Sequence, residues 1–205
     1  MQEITFGRQQ PRRNFPAKKL AVLKEAARAF VEKGVVQTSL DDIAERLKVT
    51  KPAIYYYVKS KEEIIGECLA LGHQYDEENI LRIAALPVDG LKKLREMMLY
   101  YGRAIHHDVF GHFLATVDQY ALSETGLAKH RESQRYLFEA SRRMILEGID
   151  DGSIRPCDPT TVTFAMVGAL NSTTRWFDPK GPRSIDSVIE EIWELIRTGV
   201  EKAPR

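Results

Sequence analysis

Residues 38–61 read TSLDDIAERLKVTKPAIYYYVKSK, and the fold follows from how this stretch divides. Thr38 or Ser39 offers a hydroxyl to cap a helix. Asp41 or Asp42 lies three residues further on, a capping-box arrangement with Asp in place of Glu. Leu40, Ile43, Ala44 and Leu47 recur at helical spacing and form one inward face. This helix ends near Lys48. Thr50 is a natural cap for the next one, and Pro52 sits in its first turn, where a missing N–H is harmless. With only about three residues between them, the two helices must cross steeply, which is the helix-turn-helix layout.

In the second helix, Ile54 and Val58 are spaced i, i+4 and point into a small core. Lys51, Ala53, Tyr56 and Tyr57 project elsewhere, and Tyr55 sits at the margin. A helix of this kind reads the DNA major groove with its first turn and touches the backbone with later residues. Lys51 can donate to a guanine edge or a phosphate. Ala53 permits close approach, and tyrosine hydroxyls donate to phosphate oxygens. For Tyr55 the alternative of core packing stays open. Ser60 caps a further helix with Glu63 three residues on. Lys61 then stands at a helix N-terminus, where a lysine is mildly unfavourable unless it meets an anion.

Charge supports a polyanionic partner for this end. Residues 1–61 carry 13 Lys/Arg against 6 Asp/Glu, a net +7, whereas residues 62–205 carry 17 against 23, a net −6. The overall +1 conceals a basic third on an acidic body. Residues 1–16 read as a flexible basic arm, with Arg8, Arg12, Arg13, Pro11 and Pro16 and little apolar periodicity.

Upstream, Leu20, Leu23, Ala27, Phe30 and Val31 mark a helix over 17–33 that stops at Gly34. Together these pieces resemble the DNA-binding domain of the tetracycline-repressor (TetR) family of bacterial regulators. The resemblance rests on AARAFVEKG, TSLDDIAERL and VTKPAIYYYVKSKEEII and spans about residues 17–66. It implies DNA contacts at Ser39, Thr50, Lys51, Ala53, Tyr55, Tyr56, Tyr57 and Lys61, and a palindromic double-stranded operator. One departure is Lys48, where the family often has glycine. A left-handed backbone there costs roughly 1 kcal/mol with a Cβ present, so a slightly different turn is expected.

The remainder reads as all helical. A long connector runs from Lys61 to about Ala85. Further helices are expected over about 89–107, 109–122, 125–150, from Asp158-Pro159 onward, and 184–200. The fold class is therefore all-α with about nine helices: a helix-turn-helix domain over 17–60 and a ligand-binding and dimerisation domain over 61–205. The stretch Val162–Leu170 is apolar nearly all round, as in a helix buried on several sides. The last helix carries Ile185, Val188, Ile189, Ile192, Trp193 and Ile196 as one stripe; TetR-family proteins typically dimerise through their last two helices, and both patterns agree with a homodimer.

Between those helices lies TTRWFDPKGPRS, residues 173–184. It resembles a loop in the TetR branch that governs fatty-acid, acyl-thioester and sterol degradation. Arg175, Lys180 and Arg183 suit the phosphates of a coenzyme A group at a pocket mouth, with Trp176 as a stacking plate; simple pinning of the loop by Trp176 and Phe177 remains the competing reading. A mainly apolar pocket lined by Phe113, Tyr120, Phe138 and Trp176 is expected, taking a hydrophobic effector such as an acyl-CoA.

Other classes find less support. No nucleophile elbow, Walker A, dinucleotide fingerprint or zinc-protease string occurs, so no catalytic residue, cofactor or enzyme activity is expected. His106 and His107 are adjacent and point about 100° apart on a helix, a poor start for a metal site. Cys68 and Cys157 have no metal-type spacing and read as reduced thiols. No apolar run suffices for a membrane span and the polar, basic stretch MQEITFGRQQPRRNF lacks an apolar signal-peptide core, so a cytoplasmic protein is expected. Two alternatives stay in view: a repressor of an efflux or aromatic-degradation gene answering a drug-like or aromatic ligand, and a helical acyl-thioester enzyme or carrier.

Overall fold

The computed structural model describes residues 16–201, so the arm expected over residues 1–16 lies, apart from Pro16, outside the described residues. Among these residues there are nine α-helices and no β-sheet. In order they are α1 (Ala17–Lys33), α2 (Leu40–Leu47), α3 (Lys51–Tyr55), α4 (Lys61–Ala84), α5 (Gly90–His107), α6 (Val109–Thr116), α7 (Glu124–Asp151), α8 (Pro159–Trp176) and α9 (Ile185–Val200). One isolated antiparallel bridge, Ile154 to Glu201, ties the end of α9 to the turn after α7.

Local chemistry accounts for the boundaries. Ser39 caps α2: its Oγ accepts from the Asp42 N–H at 3.1 Å, and Asp42 Oδ2 accepts from the Ser39 N–H at 2.8 Å. Thr38 is not the cap. It is buried, and its hydroxyl donates to the Gly34 carbonyl at 2.8 Å, which closes the end of α1. Lys48 does adopt the left-handed conformation, φ 54° and ψ 41°. The Lys48 N–H reaches Glu45 O and the Val49 N–H reaches Ala44 O, both at 3.0 Å, the paired bonds of a Schellman ending. The turn keeps its geometry and carries the strain of a Cβ rather than changing shape.

Two expected caps differ. The Thr50 side chain makes no capping bond to α3. Ser60 Oγ accepts from the Glu63 N–H at 3.1 Å, but the Glu63 carboxylate reaches back to the Lys59 N–H at 2.6 Å instead of completing the box at Ser60. The helix expected over 109–122 also breaks: Val117 is extended, and Asp118 starts a separate turn of 3-10 helix over Gln119–Ala121. Asp118 accepts from the Tyr120 N–H at 3.0 Å, the local bonding by which Asp competes with a continuing helix.

Two hydrophobic clusters fill the molecule. The first joins α1, α2, α3 and the first part of α4 with Phe110 and Phe113 of α6. The second joins the end of α4 with α5, α7, α8 and α9. Helix α4 runs through both, and α6 belongs by packing to the DNA-binding end although it lies far along the chain. At the other end, α5 and α7 touch backbone to backbone: a Cβ on Gly90 would lie 2.1 Å from Gly148 N.

Candidate DNA interface and effector cavity

On α3 and the turn that follows it, Ile54 and Val58 are fully buried, and Lys51, Pro52, Tyr55 and Tyr56 stand in solvent, Tyr56 at 82% exposure. Tyr57 is half-buried against the first cluster and meets Tyr56 edge-on, with ring centroids 5.0 Å apart. The sequence pointed Tyr57 outward and left Tyr55 at the margin; the structure places Tyr55 outside and Tyr57 against the core. Tyr57 stands three residues after Ile54 and next to Val58, on the buried side of the turn that ends α3.

The charged groups around this helix have distinct states. Lys51 pairs with Asp41 at 2.8 Å, which raises the lysine pKa. Both side chains are about half exposed or more, and an exposed pair contributes only about 0–1 kcal/mol, so a phosphate can replace the aspartate. Lys61 differs: its ammonium donates to the carbonyls of Val35 at 2.9 Å and Thr38 at 3.1 Å, with Val36 O at 3.5 Å. An ammonium has three hydrogens, so Lys61 serves here to hold the α1–α2 connection against the head of α4, not to offer a free cation. Ser39 is likewise engaged, as the cap of α2. Thr50 is exposed and Ala53 half-buried.

Lys18 is a residue whose place the sequence could not weigh. It is exposed and lines a groove with Lys19, Tyr56 and Tyr57, and Lys19 is also held by Glu67 at 2.7 Å.

Beneath this end lies a cavity between α4, α5, α6, α7 and α8. The volume open to the centre of a water-sized sphere is about 50 Å³, room for a few waters at roughly 10–15 Å³ each. It is not the apolar, aromatic pocket expected. His73, Asp76, Tyr101, His130, Ser133, Gln134 and Asn171 supply polar walls between Ile105, Leu114 and Leu137. None of Phe113, Tyr120, Phe138, Arg175 and Trp176 lines it. Phe113 is buried against Phe30 of α1, centroids 5.7 Å apart. Tyr120 is fully exposed on its turn. Phe138 packs outward on Phe164, centroids 4.4 Å apart. Arg175 is exposed, and Trp176 lies on the outer face of α8, its Nε1–H donating to Ser172 Oγ at 3.2 Å. Aromatic character marked these residues in the sequence, but the helix faces that carry them turn to core or surface.

Burial shapes the chemistry of the cavity. The Tyr100 hydroxyl donates to Asp76 at 2.7 Å, and that of Tyr101 donates to Asn171 at 2.8 Å. Burial lifts the Asp76 carboxyl to about 6 and lowers His73 to about 4, with His130 moved the same way. Both rings are therefore neutral at pH 7. His73 Nε2 and His130 Nδ1 are buried with no hydrogen-bond partner in the protein, so each depends on a water or ligand in the cavity to be satisfied.

The histidines further along are otherwise engaged. His106 Nε2 lies 2.6 Å from Thr173 Oγ1, and His112 Nδ1 lies 2.6 Å from Ile105 O. Among the described residues no group of three or more His, Cys, Asp or Glu is placed to hold a metal ion, and no helix is long and apolar enough to cross a membrane.

On the outside of the body, Phe164, Ala165, Gly168, Ser172 and Trp176 make one exposed stripe on α8, and Leu195 of α9 is 75% exposed. The helix expected to be buried on several sides thus leaves an apolar face uncovered in a single chain, whereas Trp193 is fully in the core.

Comparison with known proteins decides the family. Residues 22–68 match the model for bacterial regulatory proteins of the tetR family, and residues 87–200 match the tetracyclin repressor-like C-terminal domain. The chain belongs to the TetR family. It is 24% identical over 196 residues to the HTH-type transcriptional repressor KstR2 of Mycolicibacterium smegmatis, covering 89% of this chain and 90% of that one. A TetR/AcrR-family regulator from Thermobifida fusca is 34% identical with a TM-score of 0.70, covering 91% of this chain and all of the other. AibR in complex with isovaleryl coenzyme A and operator DNA shares the fold at TM-score 0.77 and 21% identity, over 87% of this chain and 97% of that one. The chain is accordingly a ligand-responsive transcriptional regulator of the TetR type, with operator DNA as a partner, and its homologues are transcriptional regulators.

Proposed function

We propose that this TetR-family protein is a cytoplasmic, non-enzymatic repressor that leaves a palindromic operator when an acyl-CoA or related apolar thioester enters the body. Residues 17–60 act as the DNA-binding unit and 61–205 as the effector-binding and dimerisation unit. Lys51, Ala53, Tyr55 and Tyr56 meet the major groove and its phosphates. Ser39, Thr50, Tyr57 and Lys61 support that surface from its edges, and Lys18 joins them. The stripe on α8 with Leu195 of α9 packs on its copy in a second subunit as a four-helix interface.

One observation carries the reading: the cavity wall and the DNA-binding core share α6. Leu114 lines the cavity and lies against Gly72 of α4, and Phe113 beside it packs on Phe30 of α1. An acyl chain needs far more than 50 Å³, so its entry displaces α6 relative to α4 and tilts α1 with the recognition helix. The occupied conformer no longer matches two successive major grooves. The coenzyme A bound in AibR motivates the choice of thioester. The test is a gel shift on the protein's own promoter region with acyl-CoAs of several chain lengths; release by at least one is expected, and undiminished binding with all of them refutes the effector class.

A further inference from the structure

Two residues that line the cavity, His73 and His130, each have a buried ring nitrogen without a hydrogen-bond partner in the protein. His130 of α7 is 2% exposed, and its Nδ1 has no partner. His73 of α4 presents Nε2, equally without one, and the two rings lie nearly parallel with centroids 6.0 Å apart. A neutral imidazole carries one donor and one acceptor, so this pair suits an oxygen that accepts, or one that both gives and takes.

The surrounding charge decides what kind of oxygen. No Lys or Arg lines the cavity, and its ionisable carboxyl is Asp76, which already accepts the Tyr100 hydroxyl. A carboxylate or phosphate entering here would lose its water, find no cation, and face Asp76. Leu114, Leu137 and Ile105 suit the carbon skeleton behind the oxygen.

From this geometry we propose that His73 and His130 recognise one uncharged oxygen at the inner end of the effector, a ketone or thioester carbonyl or a hydroxyl, and that the site rejects free carboxylic acids. The proposal rests on the reading of the body as an effector site and specifies its inner subsite. Any nucleotide portion of a thioester ligand stays outside the cavity.

The experiment uses the full chain with chain-matched probes: 2-octanone, 1-octanol and octanoate, each titrated at pH 7. Calorimetry gives affinity, and ring 15N shifts of labelled histidine report hydrogen bonding. The ketone and the alcohol are expected to bind about tenfold or more tighter than octanoate and to move the ring nitrogens of His73 and His130. His130→Phe removes that preference, and His130→Gln, which keeps a donor, retains most of it. Octanoate binding as tightly as 2-octanone overturns the proposal; so does binding that leaves both ring signals unmoved, or no binding of any probe. Operator release by octanoyl-CoA is scored separately. If it fails while the ketone still engages the histidines, the acyl-CoA reading falls and the subsite stands. If release succeeds with both rings unmoved, the subsite falls alone.

Discussion

The ring of Phe113 on α6 rests 5.7 Å from the ring of Phe30 on α1, and both are buried. This pair joins the helix that walls the cavity to the helix that carries the DNA-binding unit. In the proposed mechanism it lies on the path from the cavity to the DNA-binding unit, and Phe113 does not line the cavity. Phe113→Leu keeps most of the volume and should cost under about 1.5 kcal/mol. Operator affinity without effector is expected to stay within a few-fold of the parent, while the effector concentration for half-release rises. A gel-shift titration checks this, with a urea melt to confirm folding. A variant released at the parent concentration would show that α6 acts through other contacts.

Gly168 lies on the exposed stripe of α8 that is proposed to pack on a second subunit. A Cβ there meets nothing within 4 Å in one chain, so a larger side chain leaves the monomer fold intact. Gly168→Glu should give a folded monomer by sedimentation or light scattering, with operator affinity reduced at least tenfold as the second half-site contact is lost. Gly90→Ala provides the contrast. Its Cβ would fall 2.4 Å from Gly148 Cα and 2.1 Å from its N, a clash with backbone, so thermal stability drops while any dimer that folds keeps its affinity.

The two lysines of the DNA-binding end should behave differently. Lys51→Ala removes an exposed cation, so the slope of log affinity against log salt should flatten by about 0.9 per lost phosphate contact. Lys61→Met removes bonds to the carbonyls of Val35 and Thr38; its main effect should be a lower melting temperature with the slope nearly unchanged. Asp41→Asn frees Lys51 from its pair and is expected to tighten binding. Equal slope changes for Lys51→Ala and Lys61→Met would place Lys61 on phosphate after all.

Stability should fall on acidification. Burial holds His73 and His106 at about 4 in the folded chain against an ordinary 6.5, and His130 is lowered too. The unfolded chain therefore binds more protons in this range. The stability these histidines contribute is complete above about 6.5 and is lost as pH falls toward 4. Asp76 works the other way. Its carboxyl is raised to about 6 from 3.8, so its contribution is present below 3.8 and lost as pH rises through 6. Three histidines outweigh one carboxyl. Urea midpoints between pH 7 and 4.5 should decrease, less steeply in His73→Gln and more steeply in Asp76→Asn. A midpoint that rises on acidification would contradict the neutral, buried state of these rings.

How much was legible in the chain depends on the range of the interaction concerned. Helix α1 and the starts of α2, α3, α4 and α8 were readable because apolar spacing, caps and proline act within a few residues. Lys48 was recognisable as an unusual turn residue for the same reason, although only the bonds from Lys48 and Val49 show that the left-handed turn is kept. The orientation of Tyr55 and Tyr57 is not legible in the sequence because α3 ends after five residues, and the turn that follows, not an ideal helix, aims the third ring. The break at Val117 was hidden by an apolar pattern that continues through it.

The sequence by itself determined the helical class, the helix-turn-helix, the basic end and the family, since each is encoded in neighbouring residues. Tertiary structure decided the cavity. His73 and His130 are fifty-seven positions apart, each unremarkable in its own helix, and only the packing of α4 against α7 brings both to one cavity and leaves a nitrogen of each without a protein partner. The same packing sends Phe113 into the core and Tyr120, Phe138 and Trp176 away from the cavity. Aromatic residues are apolar enough to suit a core, an interface or a pocket, and a one-dimensional pattern does not distinguish among the three.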